Sequence, residues 1–381
     1  MERLHSLYIH LRPTPSPSPH CSPPHSPPHS LPRPPTVALG VAGDRMARDE
    51  EALSPAELDG FDRDGYVVVK AAITRDLASR IEAHLFAALG MSPDDPDSWY
   101  ATTPVAPAGP HYNVGLPATP EWARLQLELA QSPRLLGAYA QLWGSRDLWI
   151  LPSKRGSFKP PIRPGGITVK HISAYGQVEL PLGGELPMHF DVGDIAAGAF
   201  DDPAKQYFDL QSSLFVRGHG PDGGGTCLVP GFQRKWASWI GTPEGRQEIA
   251  RMSRQESRHH PEMANVDDNI LTPAGGPGDL LIWQNFLPHG SSVNTSAAPR
   301  MRLGVAVRPA PPPTAAYAAE YDEHRALWSE FLEAVSDGDG AAVSPHGRCA
   351  LGLEAGSAAP GPVGARRDHS AAYLARTARS A

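Results

Sequence analysis

Cysteine is scarce in this chain. Among 381 residues there are three, Cys21, Cys227 and Cys349, far apart and without a Cys-x-x-Cys spacing. An odd, scattered set of this kind excludes a disulfide framework and a zinc ribbon, and it suits a reducing compartment. Long apolar runs are missing too. No stretch approaches the roughly 18 continuous apolar residues of a membrane-spanning helix, and the N-terminus lacks the apolar core of a secretory signal. Positive charge is in deficit, with a net charge of −7. Binding to a phosphate backbone is driven by Lys and Arg, so no nucleic-acid partner is expected. These absences point to an intracellular, most simply cytoplasmic, protein with no membrane span.

What is abundant is proline, 42 residues, with 37 glycines. Much of the excess sits at the ends. Residues 11–36 read LRPTPSPSPHCSPPHSPPHSLPRPPT; such a run has too little apolar area to offset chain entropy. Its histidines, His20, His25 and His29, are most simply a solvated tail. Met46 opens a phrase that reads as a natural start, which leaves the preceding residues as an organelle-targeting extension or as sequence upstream of the true start. The expected organisation is a disordered extension over 1–48, a catalytic domain over 49–336 and a flexible Ala/Gly-rich tail over 337–381.

Ser54-Pro55-Ala56-Glu57 carries Ser at N-cap, Pro at N1 and Glu at N3, a capping box that starts a helix. Residues 65–69 read as a short strand. Thr74 caps a second helix, with Leu77, Ile81, Leu85 and Leu89 along one face and Gly90 as its stop. Thr119-Pro120 and Ser132-Pro133 open two more, and Trp122, Leu125, Leu127 and Leu129 are read as packing under a sheet. From about residue 148 the pattern becomes strand-like, with runs at 167–173, 177–182, 208–217, 225–229, 279–283 and 302–308 divided by Gly, Pro and Asp. That spacing predicts an antiparallel sandwich or barrel. A helical insertion carrying Trp236 and Trp239 is expected over 233–254, and a final helix packs Tyr317, Tyr321, Trp328 and Leu332.

The chemistry begins at Pro187-Met188-His189-Phe190-Asp191. A His-x-Asp pair on a strand puts both side chains on one side. A surface turn, or a His hydrogen-bonded to its Asp, would read the same way. Two such ligands need a third, and the best candidate is His289 in Pro288-His289-Gly290-Ser291. Two histidines and one carboxylate form the facial triad that suits Fe(II) and leaves positions open for O2 chemistry. A strand bearing Arg300 and Arg302 follows. An arginine pointing into a barrel is costly without a carboxylate partner, and a guanidinium clamp on the far carboxylate of a 2-oxo acid would supply one.

In this order of phrases the chain resembles the phytanoyl-CoA dioxygenase family. The resemblance runs over roughly residues 53–308. It includes Phe61-Asp62-Arg63-Asp64-Gly65-Tyr66-Val67-Val68, the His189/Asp191 pair, Gly223-Gly224-Gly225 leading to Pro230-Gly231, Pro277-Gly278-Asp279, and His289-Gly290-Ser291-Ser292-Val293-Asn294. Where the family has a His or Asn after that Pro-Gly, this chain has Phe232-Gln233. The resemblance implies a mainly β fold with flanking helices around a double-stranded β-helix, a jelly-roll or cupin-like core. It implies iron on His189, Asp191 and His289, with Ser291 and an arginine on the 2-oxoglutarate carboxylate. The family spacing of eleven residues past the histidine gives Arg300; the run from Arg302 to Arg308, similar to the family's final strand, favours Arg302.

The expected activity is therefore hydroxylation of a small molecule with O2 and 2-oxoglutarate, releasing succinate and CO2, with ascorbate as an accessory reductant. Asp191 speaks against a halogenase, where Ala or Gly opens a chloride site. The rivals are a cupin-type Zn or Mn enzyme that does not use 2-oxoglutarate and a non-catalytic barrel used for binding. Loops at 100–118, 150–166 and 193–206 are expected to decide the substrate, and Lys154, Arg155, Lys159 and Arg163 hint at an anionic or acyl one, although a solvated loop would carry the same charges. Lys170 and His171, Gln211 and Ser213, Trp283 and His111 are minor candidates for the pocket wall. The adjacent His259 and His260 read as surface.

Overall fold

The first helix starts where its capping box requires. In α1 (Pro55–Asp64) the Ser54 side chain accepts from Glu57 N–H and the Glu57 carboxylate accepts from Ser54 N–H, while Gly65 closes the helix at φ 79°. The computed structural model describes residues 52–100, 105, 107, 109–173, 176–189, 210–234, 242–244, 269–284, 287–311, 314–335 and 343–353, all within one unit, Met46–Ala381. Strand β1 (Tyr66–Val69) follows, then α2 (Arg75–Leu89), capped by Thr74 and stopped by Gly90. Strand β2 (Tyr112–Gly115) precedes α3 (Pro120–Ala130) and α4 (Pro133–Trp143). The N-cap Ser132 of α4 makes no side-chain capping bond.

The remaining strands are β3 (Leu148–Leu151), β4 (Arg155–Lys159), β5 (Thr168–Ser173), β6 (Gly176–Pro181), β7 (Leu186–His189), β8 (Leu210–Phe215), β9 (Thr226–Leu228), β10 (Leu280–Gln284), β11 (His289–Ser291), β12 (Arg300–Leu303) and β13 (Ala306–Pro309). Helices α5 (Ala318–Ala334) and α6 (Pro345–Ala350) follow. The large sheet has the order β1-β10-β8-β12-β4-β2, the smaller one β7-β11-β9, and β13-β3 and β5-β6 form two-stranded ribbons. From β4 to β12, leaving the β5–β6 ribbon aside, the chain passes back and forth between the two main sheets: β4 large, β7 small, β8 large, β9 small, β10 large, β11 small, β12 large. With all pairings antiparallel, this alternation is a double-stranded β-helix, as the sequence predicts.

The outer face of the large sheet carries Phe158, Leu214, Leu280, Ile282, Met301 and Leu303, all fully buried in one core with Leu77, Ile81 and Leu85 of α2 and Trp122, Leu127 and Leu129 of α3. Burial of these apolar chains is the main stabilising term. Because side chains alternate, the opposite face is dictated by the register. It carries Ser157 and Lys159 of β4, Gln211, Ser213 and Phe215 of β8, Leu281 and Trp283 of β10, and Arg300 and Arg302 of β12.

Three expectations change. The run 302–308 is two strands, not one. It breaks at Gly304-Val305, where β12 leaves the large sheet and β13 pairs with β3, so Arg308 sits beside the Trp149 ring, 5.3 Å from its centroid, instead of inside the barrel. Residues 155–159, expected in a loop over the mouth, are β4, a strand between β12 and β2. Within the expected tail, α6 is helical and Leu351 after it is fully buried. The N-terminal extension with its histidines, Trp236 and Trp239, His259 and His260, and the loop 193–206 lie outside the described residues. No described helix is long and apolar enough to cross a membrane.

Candidate functional site

His189 ends β7 and His289 begins β11, and the two are Cα partners across that antiparallel ladder. Their ring centroids are 4.5 Å apart. Each ring is oriented the same way. His289 Nδ1 lies 3.0 Å from the Leu287 carbonyl oxygen, and His189 Nδ1 lies 3.0 Å from that of Pro187. A carbonyl only accepts, so each Nδ1 carries the proton and the lone pair sits on Nε2, the arrangement that second-sphere carbonyls impose on metal-binding histidines. The i, i+2 geometry that builds it recurs in both strands. Asp191 lies outside the described residues, and among those described no three His, Cys, Asp or Glu side chains are grouped to hold a metal ion. The Trp283 ring is 5.5 Å from that of His289 and 2% exposed.

Ser291 lies two residues beyond His289 on the same strand face, about 7 Å along it. There it meets a side chain that the sequence reading places in a loop over the mouth. Lys159 is fully buried, and its Nζ donates to Ser291 Oγ at 2.9 Å and to the Ser292 carbonyl at 2.6 Å. Its Cα partner is Arg300, itself 1% exposed. The Arg300 guanidinium donates from Nε to the Gly224 carbonyl at 3.2 Å and from an Nη to Ser157 Oγ at 3.1 Å. Arg302, on the same face, is half-buried with an Nη 3.5 Å from Thr226 Oγ1. Burial, with Arg300 beside it, pushes the Lys159 ammonium down to about 6. Burial and Arg302 likewise oppose the charge on Arg300.

The hydrogen bonds of Lys159 and Arg300 all go to neutral oxygens; among the described residues no carboxylate bonds to either. Two buried basic side chains on facing strand positions, with no carboxylate hydrogen-bonded to either among the described residues, are costly as they stand. They form a site for an anion. The Gly223-Gly224-Gly225 run gives this end its shape. A Cβ on Gly225 would stand 2.2 Å from His219 Cε1, and Gly224 has φ +71° with a Cβ position 2.7 Å from Asn294 Cβ. Only glycine lets that loop come close enough for its carbonyl to meet Arg300.

The other expected residues separate. Gln211 and Ser213 share the inner face with Trp283 and Leu281. Lys170 and His171 lie on β5, which pairs with β6 in a ribbon of its own. Asp279 of Pro277-Gly278-Asp279 has a structural role: it accepts from Lys70 Nζ, Ala71 N–H and Gly276 N–H. The basic set 154–163 does not form a substrate patch. Lys154 pairs with Glu330, Arg163 pairs with Asp97 and stacks 3.7 Å over Tyr100, and Lys159 faces the barrel interior. The strand position of Lys159 escapes sequence reading because Arg-Gly-Ser-Phe-Lys between prolines has neither β-branched residues nor apolar alternation. The one signal is parity: Ser157 and Lys159 fall on the face opposite Phe158.

No protein-family model matches the chain, and no curated protein matches it. Solved structures do align with it. EctD from S. alaskensis, in its apo form, aligns at 21% identity over 68% of this chain and 78% of that one, with a TM-score of 0.41. SnoK, a non-haem α-ketoglutarate-dependent carbocyclase from nogalamycin biosynthesis, aligns at 16% identity over 68% and 84%, with a TM-score of 0.43. HygX from Streptomyces hygroscopicus, crystallised with nickel, 2-oxoglutarate and hygromycin B, aligns at 18% identity over 68% and 88%, with a TM-score of 0.37. At these scores the likenesses carry no argument about activity, and function rests on the side chains of the site.

Proposed function

We propose that the chain is an Fe(II)- and 2-oxoglutarate-dependent dioxygenase of the phytanoyl-CoA dioxygenase type, acting on a small molecule. His189, Asp191 and His289 would hold the metal, and Ser291, Arg300 and Arg302, joined by Lys159, would hold the 2-oxoglutarate. The observation that carries the reading is the pairing of two features on one strand. A histidine pair whose rings are both held at Nδ1 by carbonyls lies two residues from a basic cluster of Lys159, Ser291 and Arg300.

The residues present fit both groups. Imidazoles held at Nδ1 by carbonyls suit a divalent metal, and a planar guanidinium beside a buried lysine suits a carboxylate. Between the two candidate arginines, the broken strand removes the reason for preferring Arg302: Arg302 and Arg308 do not share one strand. The greater burial of Arg300 and its place opposite Lys159 support Arg300 as the main clamp, with Arg302 beside it. When bound, Fe(II) with 2-oxoglutarate supplies activation of O2, coupled to loss of CO2 and formation of succinate. The protein orients the imidazoles through the Pro187 and Leu287 carbonyls and fixes the diacid through Lys159, Ser291 and Arg300. Trp283 walls the histidine end and Phe215 lies beside Arg302 at the other.

The test is succinate formation by the full chain supplied with Fe(II), ascorbate, 2-oxoglutarate and O2, with His189→Ala in parallel. Slow uncoupled turnover in the wild type, reduced by about a hundredfold or more in the variant, is expected. Absence of both turnover and 2-oxoglutarate binding would move the assignment to a cupin-type enzyme of another metal or to a non-catalytic barrel.

A further inference from the structure

One buried group at the cationic end is left over by this account. His111 immediately precedes β2, whose Tyr112 is the Cα partner of Phe158. The ladder therefore sets His111 beside Lys159, on the barrel side of the sheet. The Gly183 N–H donates to the carbonyl of Pro110 at 2.9 Å, which fixes the chain at this point. His111 is 8% exposed, and its Nδ1 is buried with no hydrogen-bond partner. A buried polar atom left unsatisfied is uncommon and destabilising. Burial, then Arg300, Arg302 and Lys159, outweigh a hydrogen bond with Asn113 and hold the imidazole well below its usual range, so the unpartnered Nδ1 brings a hydrogen-bonding nitrogen and no further positive charge.

We propose that His111 is a ligand-contacting residue of the 2-oxoglutarate subsite, its Nδ1–H donating to the carboxylate remote from the metal. The inference rests on the 2-oxoglutarate reading of the site. Lys159 and Arg300 approach that carboxylate from β4 and β12. His111 closes the third side from β2. A neutral donor adds a bond there without adding to the repulsion between the cations, and the arriving carboxylate satisfies the orphaned nitrogen.

The experiment is calorimetric titration of the anaerobic, Fe(II)-loaded full chain with 2-oxoglutarate, using wild type, His111→Phe, His111→Leu and His111→Gln, with the melting temperature of each ligand-free protein alongside. Loss of a hydrogen bond to a charged group predicts about tenfold weaker binding in the Phe and Leu variants. The Gln variant, which keeps a donor, is expected to stay near wild type. Wild-type affinity in Phe and Leu, or a loss in Gln as large as theirs at unchanged melting temperature, would overturn the role of His111 and leave the oxygenase reading standing. Should His111→Phe not fold, Leu and Gln still decide the matter. No binding by the wild type would remove the 2-oxoglutarate reading and this inference with it.

Discussion

Lys159 shows how one residue can oppose stability in the service of a site. A lysine pushed down to about 6 in the folded chain, against an ordinary 10.5, binds fewer protons than it does unfolded between those two values. Its contribution to stability therefore rises with pH across that window and is most unfavourable at and below about pH 6. Lys159→Met relieves this and removes a charge facing Arg300. The ligand-free variant is expected to be about 1 kcal/mol or more stable at pH 6.5, with the difference shrinking by pH 9, while 2-oxoglutarate binding weakens by about tenfold or more. Thermal melts at the two pH values and a binding titration check it; a destabilised variant would mean that the lysine supports the empty barrel. Burial, with Arg300 and Arg302, holds the half-buried His219 beside the Phe215 ring down to about 4.

At the scale of elements, the turn at Pro277-Gly278-Asp279 fastens β10 to the end of β1. Gly278 has φ +89°, and a Cβ there would stand 2.6 Å from the Ile73 carbonyl. Asp279 is buried, and desolvation alone would raise its pKa. The bonds from Lys70, Ala71 and Gly276 outweigh that and hold it below the ordinary 3.8. Its stabilising contribution is thus present above the ordinary value and is lost as pH falls through the folded one. Asp279→Asn should cost about 2 kcal/mol at neutral pH and should flatten the acid side of the stability profile below about pH 4. Denaturant melts from pH 3 to 7 would show it. An unchanged acid limb would assign acid sensitivity to other carboxylates.

At the scale of the molecule, the residues after α5 complete the core beside β3. His324 is fully buried, stacks on Trp149 with centroids 4.4 Å apart, and places Nε2 3.2 Å from the Ala350 carbonyl; Trp328 donates to the Ile150 carbonyl. Ser344 N–H donates to Gln131 of α3. A chain ended after residue 336 would uncover Trp149 and His324, whereas one ended after 353 keeps α6 and Leu351. The shorter chain is expected to be less stable by about 3 kcal/mol, the cost of losing a fully buried large apolar contact. Equal melting temperatures would show that α6 adds nothing to the core.

The sequence alone determined the caps and faces of α1 to α3, because Ser54, Thr74 and Thr119 act on backbone three residues away and apolar period is a local signal. It also picked out the phrases that bring His189, His289 and Ser291 onto neighbouring strands, since short strands with their punctuation keep such phrases intact. Only the tertiary structure decided that Lys159 faces Ser291 and Arg300, that 302–308 divides at Gly304, and that Arg300 lies deeper than Arg302. Those facts depend on which strands become neighbours. A polar pentapeptide such as residues 155–159 is a solvated loop or a buried strand according to whether β12 and β2 lie on either side of it, and pairing at that distance leaves no period in the sequence.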